Sequence, residues 1–295
     1  MILEKRIPIK YWFNIIKWDM LLVLLFSTGI YFLSKYLIDL NIPVSVGAFL
    51  GTAISLLLSF KLSQSYDRWW EARKIWGSIV NDSRTLVIQL KGFTQKKNKD
   101  ITDLMAFRQI AWCYSLSQSL RNQNATDNLN EFISERELKS IQNQKNIPLA
   151  LLDIQSQYLS ILHKEKSIND YQQIQIDATL VKLCASMGMA ERIKNTYFPK
   201  TYRLTLRLFI YIFLATLSFG LTEIYGLIEI PFIFLISIPL LLLEKIAYTI
   251  QDPFENKPSD TAMTSISRTI EINIKQQLGL NDIPEAISTD DYYIL

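Results

Sequence analysis

The stretch IPVSVGAFLGTAISLLLSF, residues 42–60, runs directly into KLSQSYDRWWEARKIWGSIVNDSRTLVIQL, residues 61–90. The first part has no charged residue and is close to the roughly 20 residues that a membrane helix needs. The second part has one glycine and no proline, and its apolar and aromatic residues recur at helical spacing. No turn signal separates Phe60 from Lys61. The sequence therefore predicts one continuous helix that leaves the bilayer and continues into water.

Three further stretches contain no charged residue. They are 20–34, 208–222 and 230–243. Each is shorter than a bilayer requires, and each extends by a turn if flanking charged side chains snorkel to the interface. The flanking residues are Lys35, Arg207, Glu244 and Lys245. A set of buried core helices is the alternative, but four such segments leave no polar face for water. We expect an all-α membrane protein with four transmembrane helices and a large cytoplasmic helical bundle.

The composition excludes several classes of protein. Net charge is +3 over 295 residues, without a long Lys/Arg block, so no nucleic-acid partner is expected. Two cysteines, Cys113 and Cys184, and a single histidine, His163, are too few for a Cys/His zinc site or a disulfide framework. The same scarcity argues against Ser/His/Asp or Cys/His catalysis. We expect no enzyme activity, no metal and no cofactor.

The distribution of Lys and Arg predicts the orientation in the membrane. The loop at 223–229 has no basic residue, and the first short loop has only Lys35. The N-terminal segment is basic, through Lys5, Arg6, Lys10 and Lys17. We expect a multi-pass protein of the plasma membrane with both termini cytoplasmic and no signal peptide. The predicted parts are 1–60 with two spans, 61–203 in the cytoplasm, 204–243 with two spans, and 244–295 in the cytoplasm.

The cytoplasmic part has helical patterns and almost no strand pattern. The predicted helices cover 100–120, 134–142, 148–162 and 168–196, and the apolar positions of 259–280 are also compatible with a helix. That tail is expected to pack along the bundle or along a neighbouring subunit.

The spans themselves indicate a passive pathway. Ion-coupled transporters usually need an ionisable residue at membrane depth, and the four uncharged stretches have none. Small residues on the second span allow close helix approach, either between subunits or within one protomer. These residues are Ser45, Gly47, Ala48, Gly51, Ala53 and Ser55.

Thr52, Leu56 and Phe60 recur every four residues, so they share one face of the second span. Spacing alone leaves two interpretations open. The face is a lipid-facing or core stripe, or it lines a pore whose apolar constriction gates by dewetting.

Three blocks resemble the bestrophin family, particularly its bacterial members. FKLSQSYDRWWEARKIWG at 60–77 is similar to the signature that follows the family's pore helix. ERIKNTYFPKTYRL at 191–204 looks like the segment before the third span. DPFENKPSDTAMTSISRTIEINI at 252–274 looks like the segment after the fourth.

The resemblance implies a homopentameric ion channel with one axial pore, a narrow hydrophobic neck and a second constriction near the cytosolic end. Matched by position, the neck residues are Thr52, Leu56 and Phe60. Thr52 departs from the family's bulky aliphatic residue, and its hydroxyl is expected to ease hydration. The candidates for the cytosolic constriction are Leu183, which we favour, and Met187.

The resemblance leaves the permeant ion open. Family members include chloride-conducting and cation-conducting channels. Phe60 ring edges and Lys61 just below it favour anions, whereas any pore-facing acids in the cytoplasmic helices would reverse that preference. The sequence therefore predicts conduction of monovalent anions such as chloride. A monovalent cation (sodium) channel of the same architecture and a non-conducting membrane scaffold are the alternatives.

Animal members bind calcium through an acidic cluster that follows the Asn/Asp-Pro-Phe motif. Here Asp252, Pro253 and Phe254 are followed by Glu255-Asn256-Lys257-Pro258, without a dense run of carboxylates. Calcium gating is therefore not expected.

Overall fold

The computed structural model describes residues 1–3, 7–37, 40, 42–196, 199–289 and 291–295, and of residues 222–225 the backbone alone. In these residues the regular structure is helical, apart from one isolated bridge between Ile2 and Tyr293. The α-helices are α1 Ile9–Tyr36, α2 Val44–Phe93, α3 Lys99–Leu120, α4 Glu135–Ile141, α5 Ile147–Lys164, α6 Asp170–Asn195, α7 Lys200–Tyr225, α8 Glu229–Ile250 and α9 Met263–Leu278.

Helix α2 is continuous over 50 residues. The prediction that no break separates Phe60 from Lys61 is thereby confirmed. The four helical segments predicted for 100–120, 134–142, 148–162 and 168–196 correspond to α3, α4, α5 and α6 within two residues at each end.

Local side chains define where several of these helices begin. The Ser134 hydroxyl accepts a hydrogen bond from the Glu137 N–H at the start of α4. Asn146 accepts from the Leu149 N–H before α5. Asn169 and Gln172 form a reciprocal capping box before α6. Each cap satisfies backbone donors that have no partner within the helix.

The chain divides into two compact units. The first, which we call the apolar unit, comprises Arg6–Arg68 and Tyr197–Gln251. It holds α1, the first half of α2, α7 and α8, and its core includes Val23, Ile54, Leu58, Ile210 and Phe213. Among the described residues, four helices are long and apolar enough to cross a membrane: Ile9–Tyr36, Val44–Phe93, Lys200–Leu221 and Gly226–Ile250. They match the four predicted spans.

Two glycines of α2 pack against α7 of the same chain. A Cβ on Gly51 would lie 3.1 Å from the Phe213 ring, and one on Gly47 would lie 3.6 Å from the Leu217 side chain. These two small residues therefore serve packing within one protomer, which is one of the two interpretations that the sequence left open. Ser45, Ala48 and Ser55 remain exposed.

The second unit, which we call the polar unit, comprises Met1–Lys5, Trp69–Thr196 and Asp252–Leu295. Trp76 and Trp112 are among its largest fully buried side chains. The predicted tail helix is α9, which packs on α3: the Tyr114 hydroxyl donates to Glu271 Oε2 at 2.7 Å, and the Ser267 hydroxyl donates to the Cys113 carbonyl at 3.3 Å. The tail therefore packs along the bundle of its own chain.

Candidate functional site on helix α2

Within the apolar unit, α2 has one buried and one exposed face. Ile54 and Leu58 are buried in the core of the apolar unit, on the side of α2 where Gly47 and Gly51 pack on α7. Leu56 lies two residues from each of them, and so about 160° around the helix from either. Leu56 and Phe60 are both 57% exposed, and Thr52 is exposed as well. The three predicted neck residues therefore share the face opposite the one that packs on α7.

The exposed face of α2 also carries many hydroxyl groups. Ser45, Thr52, Ser55, Ser59 and Ser63 are all exposed. Phe49, Leu56 and Phe60 are interspersed among them. The face is therefore a mixed surface of hydroxyls and bulky apolar groups.

The outward surfaces of α1 and α8 have a different composition. The exposed residues of α8 between positions 231 and 243 are Pro231, Phe232, Leu235, Pro239 and Leu243. Those of α1 between positions 21 and 32 are Leu21, Leu22, Leu24, Leu25, Gly29 and Phe32. None of these exposed residues has a hydroxyl or charged side chain, as expected for contact with lipid tails. The half-buried Thr28 of α1 adds one hydroxyl, which donates to the Leu24 carbonyl of its own helix at 2.7 Å.

The Thr52 hydroxyl has a partner within its own helix. It donates to the Ala48 carbonyl at 3.0 Å. The donor is thereby satisfied without water, although the oxygen keeps acceptor capacity. Water can therefore bind the Thr52 hydroxyl only as a donor to its oxygen. The hydroxyl is then expected to ease hydration less than the sequence alone predicted.

Lys61 does not lie on the exposed face of α2. It follows Ile54 by seven residues, which places both on the same side of the helix. Its ammonium group donates to Oε1 of Gln251, the residue that follows α8, at 2.6 Å, and Lys61 is buried. The expectation that Lys61 favours anions just below Phe60 is therefore wrong, because the charge is directed into the protein.

Two residues beyond Phe60 were missed by the sequence analysis. Ser63 and Asp67 are exposed and continue the face of Thr52, Leu56 and Phe60. Helical spacing could have predicted the position of Asp67, because it follows Phe60 by seven residues, or about two turns. Asp67 brings a carboxylate to the face on which Lys61 had been expected to supply a positive charge.

The predicted cytosolic constriction lies on α6. Leu183 is 0% exposed and Met187 is 3% exposed, because both pack in the core of the polar unit. A residue that narrows an aqueous pathway must present its side chain to it, so the burial of both counts against this prediction. The exposed apolar side chains of the same helix include Ile174, at 67%, and Val181, at 59%.

Comparison with known proteins identifies the family. Residues 13–276 match the model of the family described as Bacterial/Fungal Bestrophin protein. The chain belongs to the bestrophin family. The resemblance seen in the three sequence blocks is thereby confirmed, and with four helices able to span a bilayer this bestrophin is a multi-pass membrane protein.

Curated relatives and solved structures match nearly the whole chain. A voltage-dependent anion channel-forming protein of Escherichia coli K12 is 29% identical over 94% of this chain and 91% of its own length. Another protein of that description, from Ralstonia nicotianae, is 28% identical over 82% of this chain and 79% of its own length. The crystal structure of a bacterial bestrophin homolog from Klebsiella pneumoniae is 26% identical, with a TM-score of 0.83 over 90% of this chain and 99% of that one.

In this bestrophin, an ion-pair network joins α1, α7 and α8. Glu244 accepts from Arg203 Nε at 2.8 Å and from Arg207 Nη2 at 3.0 Å. Asp19 lies 3.3 Å from Arg207 Nη2 and 3.6 Å from Lys245 Nζ. Both acids are buried. The expectation that Glu244 snorkels to the interface is therefore wrong, because it is enclosed by cationic partners inside the apolar unit.

The acids of the Asp252-Pro253-Phe254 segment are engaged by the chain itself. Asp252 pairs with Lys194 at 2.9 Å, and Glu255 pairs with Lys257. Asp260 is buried, accepts from the Lys257 N–H at 3.0 Å, and has its pKa raised to about 6 by that burial. Within the described part of the chain, no group of three or more His, Cys, Asp and Glu residues could hold a metal ion.

Cys113 and His163 are a thiol and an imidazole whose surroundings the structure defines. Burial raises the pKa of the Cys113 thiol to about 12, which keeps the thiolate scarce. His163 contacts Asp170 at 2.7 Å on the surface. Neither arrangement provides a nucleophile beside its base.

Proposed function

We propose that this bestrophin is a homopentameric ion channel of the plasma membrane, in which five copies of α2 surround one axial pore. It conducts monovalent anions such as chloride passively. Both termini and the polar unit lie in the cytoplasm, since the segments flanking the spans on that side carry the basic residues.

One observation carries the proposal: the exposed face of α2 is richer in hydroxyl side chains than the outward surfaces of α1 and α8. The exposed parts of α1 and α8 are suited to lipid. The opposite face of α2 combines five hydroxyl side chains with Phe49, Leu56 and Phe60. A hydroxyl-bearing face is best accommodated against water or another protein surface. If copies of this chain meet around α2, this face contacts both the neighbouring subunits and the water of the pore.

The neck of the proposed channel consists of Thr52, Leu56 and Phe60. A ring of Leu56 side chains and a ring of Phe60 side chains exclude water when the lumen is narrow, and this dewetting closes the pathway. Thr52 forms the outer ring. With its hydroxyl donating to Ala48, each copy contributes an oxygen acceptor and a methyl group rather than a free donor.

The second constriction is proposed on the exposed face of α6 and not at Leu183 or Met187. Ile174, Ala178, Val181 and Ala185 are all exposed and recur at intervals of three or four residues. Val181 is the bulkiest exposed apolar side chain in the second half of this stripe. In an assembly with α6 beside the pore axis, the Val181 side chain narrows the lumen. Leu183 instead stabilises the polar unit by packing in its core.

The anion preference is supported by the names of the relatives, two of which are described as voltage-dependent anion channel-forming proteins. Aromatic ring edges, here those of Phe60, are the neutral feature that attracts anions in such a neck. A cation channel of the same architecture is favoured by one observation, the exposed carboxylate of Asp67.

Purified protein in planar bilayers tests the proposal. With tenfold asymmetric potassium chloride, an anion channel gives a reversal potential near the chloride equilibrium potential, and a cation channel gives one near that of potassium. A single-particle count of subunits accompanies the recording. Absence of single-channel currents from a correctly assembled complex would overturn the channel and favour a non-conducting scaffold.

A further inference from the structure

The side chain of Asp67 occupies a defined place beyond the neck. Along α2 it follows Phe60 by seven residues, which is about 10 Å along the helix axis with a rotation of about 20°. It is exposed. It therefore continues the Thr52, Leu56 and Phe60 face toward the cytoplasmic end, with Ser63 between.

No positive charge of the neighbouring sequence neutralises Asp67. In the described part of the chain, Asp67 has no ion pair. The next residue, Arg68, is directed to the packed side of α2, where its Nε donates to the Gln251 carbonyl at 3.0 Å. Lys61 also lies on the packed side, bound to Gln251.

The next cation on the exposed face has its own partner. Lys74 follows Asp67 by seven residues and is therefore on the same side of α2. It pairs with Glu71 at 2.6 Å, so these two residues together add no net charge. Between Phe60 and Lys74, Asp67 is thus the uncompensated charge on the exposed face of the described helix.

We propose that Asp67 is a selectivity-determining residue, an inference that rests on the proposed assembly around α2. In that assembly the Asp67 carboxylates of the subunits form a ring at the cytoplasmic mouth of the neck. Such a ring concentrates monovalent cations and depletes anions at the point where ions enter or leave the hydrophobic section. It opposes the anion preference of the neck itself. The ring therefore limits how strongly the channel selects anions and lowers anion supply from the cytoplasm.

Removing the carboxylate ring is expected to change the ion selectivity, because a lumen with low-dielectric walls focuses the electric field of the charges that line it. Charged clefts change local counter-ion concentration by about tenfold or more, and salt screens the effect. Asp67→Asn is expected to raise the chloride-to-potassium permeability ratio roughly tenfold at low salt, with a smaller change at 1 M salt.

The experiment is a set of reversal-potential measurements in planar bilayers on three variants. Asp67→Asn removes the charge at nearly constant volume, and Asp67→Glu retains it. Asp100→Asn, at the exposed first turn of α3, makes the same change of charge elsewhere. Each variant is first required to elute like the wild type on size-exclusion chromatography.

The inference is supported if Asp67→Asn shifts the reversal potential toward that of chloride while Asp67→Glu and Asp100→Asn do not. It is overturned if the protein conducts and Asp67→Asn matches the wild type at low salt. A wild-type protein that assembles but carries no current overturns the proposed function, and this inference with it.

Discussion

The Glu244 carboxylate and the Arg207 guanidinium lie 3.0 Å apart, Oε2 to Nη2, and bind α8 to α7 inside the apolar unit. Glu244 also accepts from Arg203, whose guanidinium carbon stacks 3.6 Å from the centre of the Tyr248 ring. Arg207 in turn reaches Asp19 of α1. A single buried carboxylate therefore binds two cations of the same helix, and Asp19 supplies a second carboxylate to Arg207.

Removing this carboxylate is expected to destabilise the protein strongly. Glu244→Ala leaves Arg203 without its carboxylate partner and Arg207 with Asp19 alone, and breaking a buried pair costs about 3 to 5 kcal/mol. Glu71→Ala breaks only the exposed pair with Lys74, worth about 0.5 kcal/mol or less. Thermal unfolding in detergent measures both. Equal midpoints for the two variants would contradict the structural role of the network.

The buried Asp260 predicts a pH dependence of stability. Burial raises its pKa to about 6 in the folded chain, above the unfolded value of about 3.9. The folded state therefore binds a proton more readily, and the free energy of unfolding falls as pH rises from about 4 to 6. At pH 7 the ionised group costs on the order of 3 kcal/mol.

Asp260→Asn is thus expected to be more stable than the wild type at pH 7, with the difference shrinking at pH 4. Unfolding midpoints of both proteins across this range provide the measurement. Asn retains an oxygen that accepts from the Lys257 N–H, so this local hydrogen bond is preserved. A difference that stays constant with pH would refute the assignment to Asp260.

The neck predicts an effect of side-chain size on conduction. Leu56→Ala widens the proposed apolar ring and is expected to raise the open probability or conductance severalfold, because a wider and shorter apolar section hydrates more easily. Leu235→Ala is the matched control, since Leu235 is similarly exposed on α8, on a surface assigned to lipid. Single-channel recording of both variants makes the comparison. The same conductance in both would argue against a neck at Leu56.

Helix α6 predicts opposite behaviour for two neighbouring residues. Val181→Ala is expected to change the permeability ratio for large and small anions with little change in stability, because the side chain is exposed. Leu183→Ala leaves a core cavity and costs about 2 to 5 kcal/mol. Bi-ionic reversal potentials and thermal unfolding separate the two effects. A permeation change from Leu183→Ala alone, at wild-type stability, would restore the original assignment.

The elements of the fold were predictable because their signals are local. Uncharged stretches and helical periodicity reside in short windows of sequence, and each predicted span and cytoplasmic helix has its counterpart in the structure. The family blocks placed the neck residues on a face that the structure leaves exposed.

The predictions that were wrong depended on which side of a helix packs against another helix. Lys61 follows Phe60 in sequence, but one residue turns the helix by about 100°, and the position of Gln251 decides where the ammonium group lies. Leu183 and Val181 are both aliphatic, so only the packing of the bundle distinguishes the core residue from the exposed one. The Glu244 network depends on α1 and α7, which are distant in sequence.

The most direct test is a cryo-electron microscopy map of the protein in lipid nanodiscs, with the side chains of α2 resolved. The account predicts five copies of α2 around one continuous lumen, with Leu56 and Phe60 pointing inward and Leu235 of α8 in contact with lipid. A map in which Leu56 and Phe60 face lipid, with no passage along the symmetry axis, would contradict it.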